Sequence, residues 1–303
     1  MLPIARTGKM IEPLLFLIIF IALLLFTSGI FLKKLRKVLL GLLMSCFLLL
    51  GYTFIEPYWL IVNTIPFVSS DIPPSFDGTT IVFVSDIHHG PFFGRWRVAN
   101  LVERINRLQP DIVVFGGDYV HRHAKYIVPC FKELRHVTAP LGVFGVLGNH
   151  DHWEDAELTR QQMSRAGITI LDNLATWIVQ GQERIKIGGV GDLWEDLQDV
   201  RPTLEDTDDS DFVILVSHNP DYAEFIPTRN IDLMLCGHTH GGQVTFFGKW
   251  APFVPSQYGQ KYRYGLIETP KTRVIVTKGV GTVTPPVRFF ARPEIVEVKL
   301  KHE

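Results

Sequence analysis

Cysteine is scarce in this chain, and its scarcity closes several routes. Three cysteines in 303 residues cannot make a disulfide framework, and their spacing is not that of a Cys-based zinc site. Cys46 falls inside an apolar run, Cys130 in a mixed segment and Cys236 at the end of a short apolar stretch. Long basic runs are missing beyond residue 77, where acidic residues outnumber basic ones. That balance argues against nucleic acid as a partner. No internal repeat is found, and nothing in the sequence calls for an obligate protein partner.

Apolar residues are plentiful, at 47% of the chain, enough for one or two domains with an ample core. The excess is concentrated at the front. Leu14 to Leu32 is a nineteen-residue apolar run without a charge, and Val38 to Ile55 is a second of eighteen. Roughly 20 apolar residues span a bilayer, so the expectation is two transmembrane helices, at about 14–32 and 38–55. The first run is too long for a signal peptide and lacks a small-residue cleavage site. Between them, Lys33-Lys34-Leu35-Arg36-Lys37 sets four positive charges against the two of Arg6 and Lys9. The positive-inside rule then puts this turn in the cytoplasm and the main domain outside. Residues 1–57 read as a membrane anchor, 58–76 as a linker rich in Pro, Ser and aromatics, and 77–303 as the main domain.

Within that domain, short apolar runs alternate with amphipathic segments. Thr79 to Ser85, Asp111 to Phe115 and Leu141 to Leu147 read as buried strands. Val98, Leu101, Val102, Ile105 and Leu108 mark one face of a helix over 97–108. Tyr126 to Val137 and Glu154 to Arg165 are further expected helices. The second half reads as β-rich, with strands expected at 168–171, 176–179, 185–190, 212–216, 231–236, 274–277 and 295–300. An acidic loop or short helix is expected over 194–211. The fold class expected is α/β, a two-sheet sandwich flanked by helices.

Polar clusters close five of these runs: Asp86-Ile87-His88, Gly116-Gly117-Asp118, Gly148-Asn149-His150-Asp151, Ser217-His218 and Gly237-His238-Thr239-His240. Ligand sites in open α/β sheets gather at strand ends. If these ends converge, they bring together Asp86, His88, Asp118, Asn149, His218, His238 and His240. Imidazoles, carboxylates and an amide oxygen suit first-row divalent metals such as Mn, Fe or Zn. Seven ligands are too many for one ion; two ions bridged by a carboxylate suit phosphate ester hydrolysis.

The five clusters, in this order and spacing, resemble the motif series of the calcineurin-like metallophosphoesterases from residue 79 onward. The Gly-Gly-Gln after His240 and Arg292-Pro293-Glu294-Ile295 resemble the membrane-associated or exported bacterial branch. The resemblance implies a calcineurin-like sandwich in a bacterial cell membrane protein. It puts Asp86, His88 and His240 on one metal, Asn149, His218 and His238 on the other, and Asp118 between them. It makes His150 a phosphate-facing acid or transition-state stabiliser oriented by Asp151, with attack by a metal-bridging hydroxide.

Any one of these histidines alone would read as a satisfied core residue; the intact set argues for the site. His89 and His152 fit no motif role and read as supporting or loop residues, while His121 and His123 follow Asp118 closely and read as a solvated loop, with lining of the entrance to the site as the alternative. Phe92, Arg95 and Trp96 follow the first cluster and Trp250 follows the last. These aromatic and basic residues are candidate substrate contacts, and beside a membrane they suit a phosphate diester or pyrophosphate that is lipid or lipid-linked. Alternative expectations are a UDP-2,3-diacylglucosamine hydrolase of lipid A synthesis and a metal-binding membrane scaffold without turnover.

Overall fold

Two contact-defined units make up the computed structural model, divided after Thr53, and residues 16–25 and 33–303 are described. The first unit holds helix α1 (Phe16–Leu25) and most of α2 (Lys33–Ile55). Among the described residues, one stretch, Arg36–Tyr58, is long and apolar enough to cross a membrane. At 1.5 Å per residue its helical part covers the roughly 30 Å hydrocarbon layer. The other expected span, 14–32, lies partly outside the described residues. Its described part, α1, is shorter than a crossing helix, so two spans are not established.

The second unit is built on strands whose Val, Ile and Phe content favours a pleated, buried surface. One sheet holds β1 (Ile61–Ser69), β2 (Thr80–Val84), β3 (Ile112–Phe115), β4 (Val143–Gly145) and β5 (Thr169–Ile170), with β12 (Glu294–His302) between β1 and β2. The other is ordered β10 (Gly265–Glu268), β11 (Arg273–Val276), β9 (Leu233–Cys236), β8 (Val213–Val216), β7 (Glu183–Gly189), β6 (Ala175–Gln180).

Side-chain alternation sorts the core into layers. Ile81 and Phe83 of β2 enter the core shared with Ile214, Val216 and Leu235 of the other sheet. Val82 and Val84 point the opposite way, into a layer with α3 (Arg95–Arg107), α4 (Ile127–Leu134) and the later part of α5 (Asn149–Arg165). Helix α3 buries Val98, Leu101, Val102 and Ile105, the stripe its sequence foretells. A third layer covers the outer face of the second sheet with Tyr222, Ile226 and Tyr262, beside the short helix α6 (Arg201–Leu204). The result is a two-sheet α/β sandwich with flanking helices.

Three local departures from the sequence reading have physical causes. Residues 58–76 are not a free tether: β1 runs parallel to β12 over its whole length, from Ile61 opposite Glu294 to Ser69 opposite His302. Pro66 argues against a strand, but β1 lies at the sheet edge, where a missing N–H is tolerated. Strand β10 was unmarked because its four residues alternate between half-buried and exposed. Helix α5 starts at Asn149 rather than 154, since its first turn carries polar site residues. It is then broken at Asp155, whose backbone is extended at φ −175° and ψ 92°. Asp155 Oδ1 accepts the Leu158 N–H and caps the continuing helix.

Phe67 ties β1 to the rest of the sandwich: it is buried, packs edge-on against Phe212 at 5.8 Å, and lies under the Arg273 guanidinium. Phe67→Ala is expected to cost about 3–5 kcal/mol, read as a lowered unfolding midpoint in the full chain. An unchanged midpoint would show that β1 contributes nothing to the sandwich.

Candidate metal centre

Five strands end on one rim, and each hands over a polar cluster. In the first sheet β2 leads to Asp86 and His88, β3 to Asp118 and β4 to Asn149 and His150. In the second, β8 leads to His218 and β9 to His238 and His240. Beyond the strands, backbone pairing continues between the loops. Asp86 N–H donates to the Gly117 carbonyl at 3.0 Å, His88 N–H to that of Asp118 at 3.0 Å, and Gly237 N–H to that of His218 at 3.0 Å.

The loops turn by adopting left-handed backbone. Asp86, His88, Asp118, His238 and His240 have φ of 56°, 48°, 56°, 67° and 52°. Conformations of this kind in non-glycine residues cost on the order of 1–3 kcal/mol each. The close approach also demands glycine: a Cβ on Gly148 would sit 2.3 Å from Asp118 Oδ1, and one on Gly237 2.5 Å from Asp86 Oδ2.

Six of the seven expected ligands meet in a chain of short separations. His240 Nε2 lies 3.3 Å from Asp86 Oδ1 and 3.1 Å from His88 Nε2. Asp118 Oδ2 stands between the two groups, 3.5 Å from His88 Nε2 and 3.3 Å from His218 Nε2. His238 Nδ1 is 3.3 Å from His218 Nε2. Asn149, the seventh, begins α5 next to His150 and is buried.

Charge and burial prepare these groups for cations. Burial pushes the His88, His238 and His240 imidazoles down, His238 to about 3, so they are neutral with free lone pairs. Burial also raises Asp86, to about 6, with the Asp118 charge adding to it. Asp118 experiences the same burial, but His218, His150 and His88 outweigh it and hold this carboxyl well below the usual range. His218 is raised well above an ordinary imidazole despite burial, because Asp118, Asp86 and Asp192 surround it.

The residues fit a metal group on their own chemistry. His218 Nδ1 donates to the Gly116 carbonyl at 2.7 Å, which turns Nε2 toward Asp118, where a cation would take the place of its proton. His88 and His240 direct Nε2 atoms at each other across 3.1 Å, where a single shared proton or a cation relieves the lone-pair repulsion. The Asn149 Oδ1 is buried and without a hydrogen-bond partner. Such orphaned acceptors are costly unless something binds them. Asp86–His88–His240 and Asp86–Asp118–His218 each offer ligand atoms close enough for one ion.

The Asp151 carboxylate makes contacts other than the expected one to the His150 ring. The Asp151 carboxylate accepts the backbone N–H groups of Asp118 at 2.8 Å, Tyr119 at 2.9 Å and Gly148 at 3.0 Å. It locks two loops together rather than aligning the His150 ring. That ring is instead walled by His88, Trp153 and His121, with His121 Nδ1 3.3 Å from His150 Nδ1.

Of the two readings for His121, the solvated loop does not hold: it is buried beside His150, with Nε2 lacking a partner. Its position follows from His89 and Val120, which pair as a bridge extending β2 and β3. Spacing of three from Asp118 was the only signal. Trp194 was also missed; its ring stands edge-on to His238 at 4.3 Å. His89 supports its own loop through Nδ1, which donates to the Phe93 carbonyl at 2.7 Å. Cys236 is buried in β9, where burial raises its thiol and keeps it unreactive. Of the expected substrate contacts, Arg95 pairs with Glu133 on α4, Phe92 lies beneath Arg122, and Trp96 and Trp250 are exposed.

Residues 79–242 match the family described as calcineurin-like phosphoesterase. The chain belongs to that family. Metallophosphoesterase YkuE of Bacillus subtilis is 33% identical over 83% of this chain and 89% of its own. Phosphodiesterase YaeI of Escherichia coli is 31% identical, covering 82% of this chain and 92% of that protein. A zebrafish transmembrane protein with a metallophosphoesterase domain is 30% identical over 76% of this chain and 55% of its own. Among solved structures, the NAD nucleotidase NadN of Haemophilus influenzae aligns with a TM-score of 0.46 and 13% identity, over 67% of this chain and 50% of that one. Membership makes this calcineurin-like chain a metal-dependent phosphoester hydrolase.

Gly148→Ala is expected to leave the secondary structure intact while weakening metal binding roughly 10–100-fold. Circular dichroism and metal content after gel filtration read the two effects. Metal content equal to that of the unsubstituted protein would show that the close approach to Asp118 is dispensable.

Proposed function

We propose that this protein is a membrane-anchored phosphoesterase that uses a pair of divalent ions to cleave a phosphate diester or pyrophosphate. The observation that carries this reading is the gathering of buried imidazoles and carboxylates around Asp118 Oδ2, with the Asn149 Oδ1 left unpartnered. In it Asp86, His88 and His240 hold one ion, Asn149, His218 and His238 the other, and Asp118 serves both. Nitrogen and oxygen donors of this kind suit Mn, Fe or Zn. When bound, the ions supply Lewis acidity at the phosphoryl oxygens.

His150 is the group for the leaving oxygen. A proton on His121 Nδ1 shared with His150 Nδ1 leaves the His150 proton on Nε2, from where it can be donated. Asp151 acts through Asp118, holding its loop by two backbone contacts, to the Asp118 and Tyr119 N–H groups. Cleavage of diesters is supported by the phosphodiesterase name of the E. coli relative. Anchoring is supported by the apolar stretch Arg36–Tyr58 and by the transmembrane name of the zebrafish relative. The basic residues 33–37 favour an extracytoplasmic catalytic domain in a bacterial cell membrane.

The test is hydrolysis of paired aryl phosphate mono- and diesters by the Mn-loaded full chain. Diester cleavage is expected, with chelation abolishing it and Mn restoring it. Asp118→Asn and His238→Ala are each expected to lower turnover at least ~100-fold, since one directly removes a ligand and the other its charge. Undiminished turnover in either variant would overturn the reading. Bound metal with no turnover on any phosphoester under several divalent ions would identify a scaffold instead.

A separate check addresses sidedness. Reporter fusions after residue 57 are expected to report the extracytoplasmic side, and a cytoplasmic signal there would refute that assignment.

A further inference from the structure

Three segments of the second unit share an unusual composition. Residues 90–97, 243–250 and 285–293 carry Phe92, Trp96, Phe247, Trp250 and Phe290 together with Arg95, Arg97, Lys249 and Arg292. None of the three contains an Asp or Glu, although the domain around them is acidic on balance. Aromatics and basic residues without carboxylates are the composition of a surface that meets lipid headgroups.

These segments converge on the residues where α2 ends. The buried Glu56 carboxylate accepts the Phe290 N–H at 2.7 Å and the Ala291 N–H at 2.6 Å. Arg97 donates to the Pro57 carbonyl, with its guanidinium 4.5 Å from the Tyr58 ring centre. Arg292 stacks over Trp59 at 3.7 Å, and Phe247 packs against Phe290 at 5.1 Å. The 243–250 and 285–293 segments are joined by a Val244–Phe289 bridge.

Packing does not account for the aromatic side chains. Trp96 is 73% exposed, Phe247 71%, Tyr58 65% and Trp250 49%. A cavity of about 290 Å³ lies among Phe54, Pro57, Tyr58, Phe92 and Pro286, so the neighbouring rings do not close over one another. Scattered exposed aromatics need no explanation, but a contiguous aromatic patch marks an interaction surface.

The geometry points to this patch as a membrane-docking surface of the domain, seated in the headgroup layer of an anionic phospholipid bilayer. The inference rests on the reading that Arg36–Tyr58 crosses that bilayer. Continuity chooses lipid over other occupants: Tyr58 and Trp59 stand within four residues of the end of α2 at Ile55, where a crossing helix leaves the hydrocarbon. Trp and Tyr favour that interface, and Arg and Lys are drawn to anionic headgroups. The surface also leads to the metal centre. Residues 90–97 follow His88 directly and 243–250 follow His240, so a phosphoester held in the headgroup layer lies at the rim of the site.

The test uses the full chain in vesicles of phosphatidylcholine and phosphatidylglycerol whose acyl chains carry bromine near the headgroup. Tryptophan fluorescence is compared with that in unbrominated vesicles, for the parent chain and for Trp59→Phe, Trp96→Phe, Trp250→Phe and Trp177→Phe. Phe keeps the ring at each position, so folding is preserved, and circular dichroism verifies it. Because three interfacial tryptophans share the signal, Trp96→Phe and Trp250→Phe are each expected to remove roughly a third of the bromine-quenchable fluorescence. Trp177→Phe, on β6, is expected to remove none.

Loss of quenchable signal in Trp59→Phe alone would mean that the helix inserts while the domain stands clear of the lipid, and would overturn the inference. No bromine quenching in the parent chain would refute the crossing itself. Trp96 and Trp250 protected from both brominated lipid and aqueous iodide would mean that a second copy covers the patch, which also overturns it. None of these readings uses hydrolysis, so failure here is distinct from failure of the phosphoesterase assignment.

Discussion

Left-handed backbone at five of the expected ligand residues is the constraint on which the clustering rests. A strand that simply ran on would carry alternate side chains to opposite faces of its sheet. Turning the chain through φ of 48–67° at Asp86, His88, Asp118, His238 and His240 gathers these side chains instead. The conformations are unfavourable singly and persist because neighbouring loops over-determine them. The Gly281 N–H bond to the Asp86 carbonyl at 2.7 Å shows how. Arg288 strengthens the same support from beneath: fully buried, it donates to the carbonyls of Lys278, Gly279, Gly281 and Ala291.

Electrostatics and strain therefore act on the same atoms. Without a cation, Asp86 and Asp118 are two buried carboxyls in one cluster, pushed apart in their proton affinity and balanced mainly by His218. Burial that destabilises a charged imidazole also leaves it free to ligate. The fold supplies this environment by packing the strand ends of both sheets over apolar layers, with Val84 and Leu147 beneath one side and Val216 and Cys236 beneath the other. The second sheet is thus part of the site as well as of the core.

The gathering of the five polar clusters was legible because each follows a short apolar run, and such runs become buried strands whose ends share a rim. The same signal gave β2, β3, β8 and β9, and helical spacing gave the buried stripe of α3. What stayed hidden lacks that signal. Pro66 masked β1, because a sequence does not reveal that the proline lies on an edge. His121 resembled a loop histidine, since its burial depends on a bridge between His89 and Val120 that belongs to neither strand proper. Asp151 was placed beside His150 by adjacency. Its carboxylate actually serves N–H groups more than thirty residues away in sequence, at Asp118 and Tyr119. The aromatic residues after His88 and His240 read as candidate substrate contacts, and the sequence does not reveal that Trp96, Phe247 and Trp250 are exposed.

The insertion of β12 between β1 and β2 has a consequence for biosynthesis. Both neighbours emerge from the ribosome long before their shared partner, which occupies residues 294–302. Until then β1 has no neighbour in the sheet and β2 has one unpaired edge. The loop holding Asp86 also waits, because it leans on Gly279 and Gly281, which precede β12 only shortly. Domains usually begin to fold from the amino-terminal side while translation continues. Here that order leaves a gap in the first sheet, so the sandwich closes only when nearly all of the chain has been made.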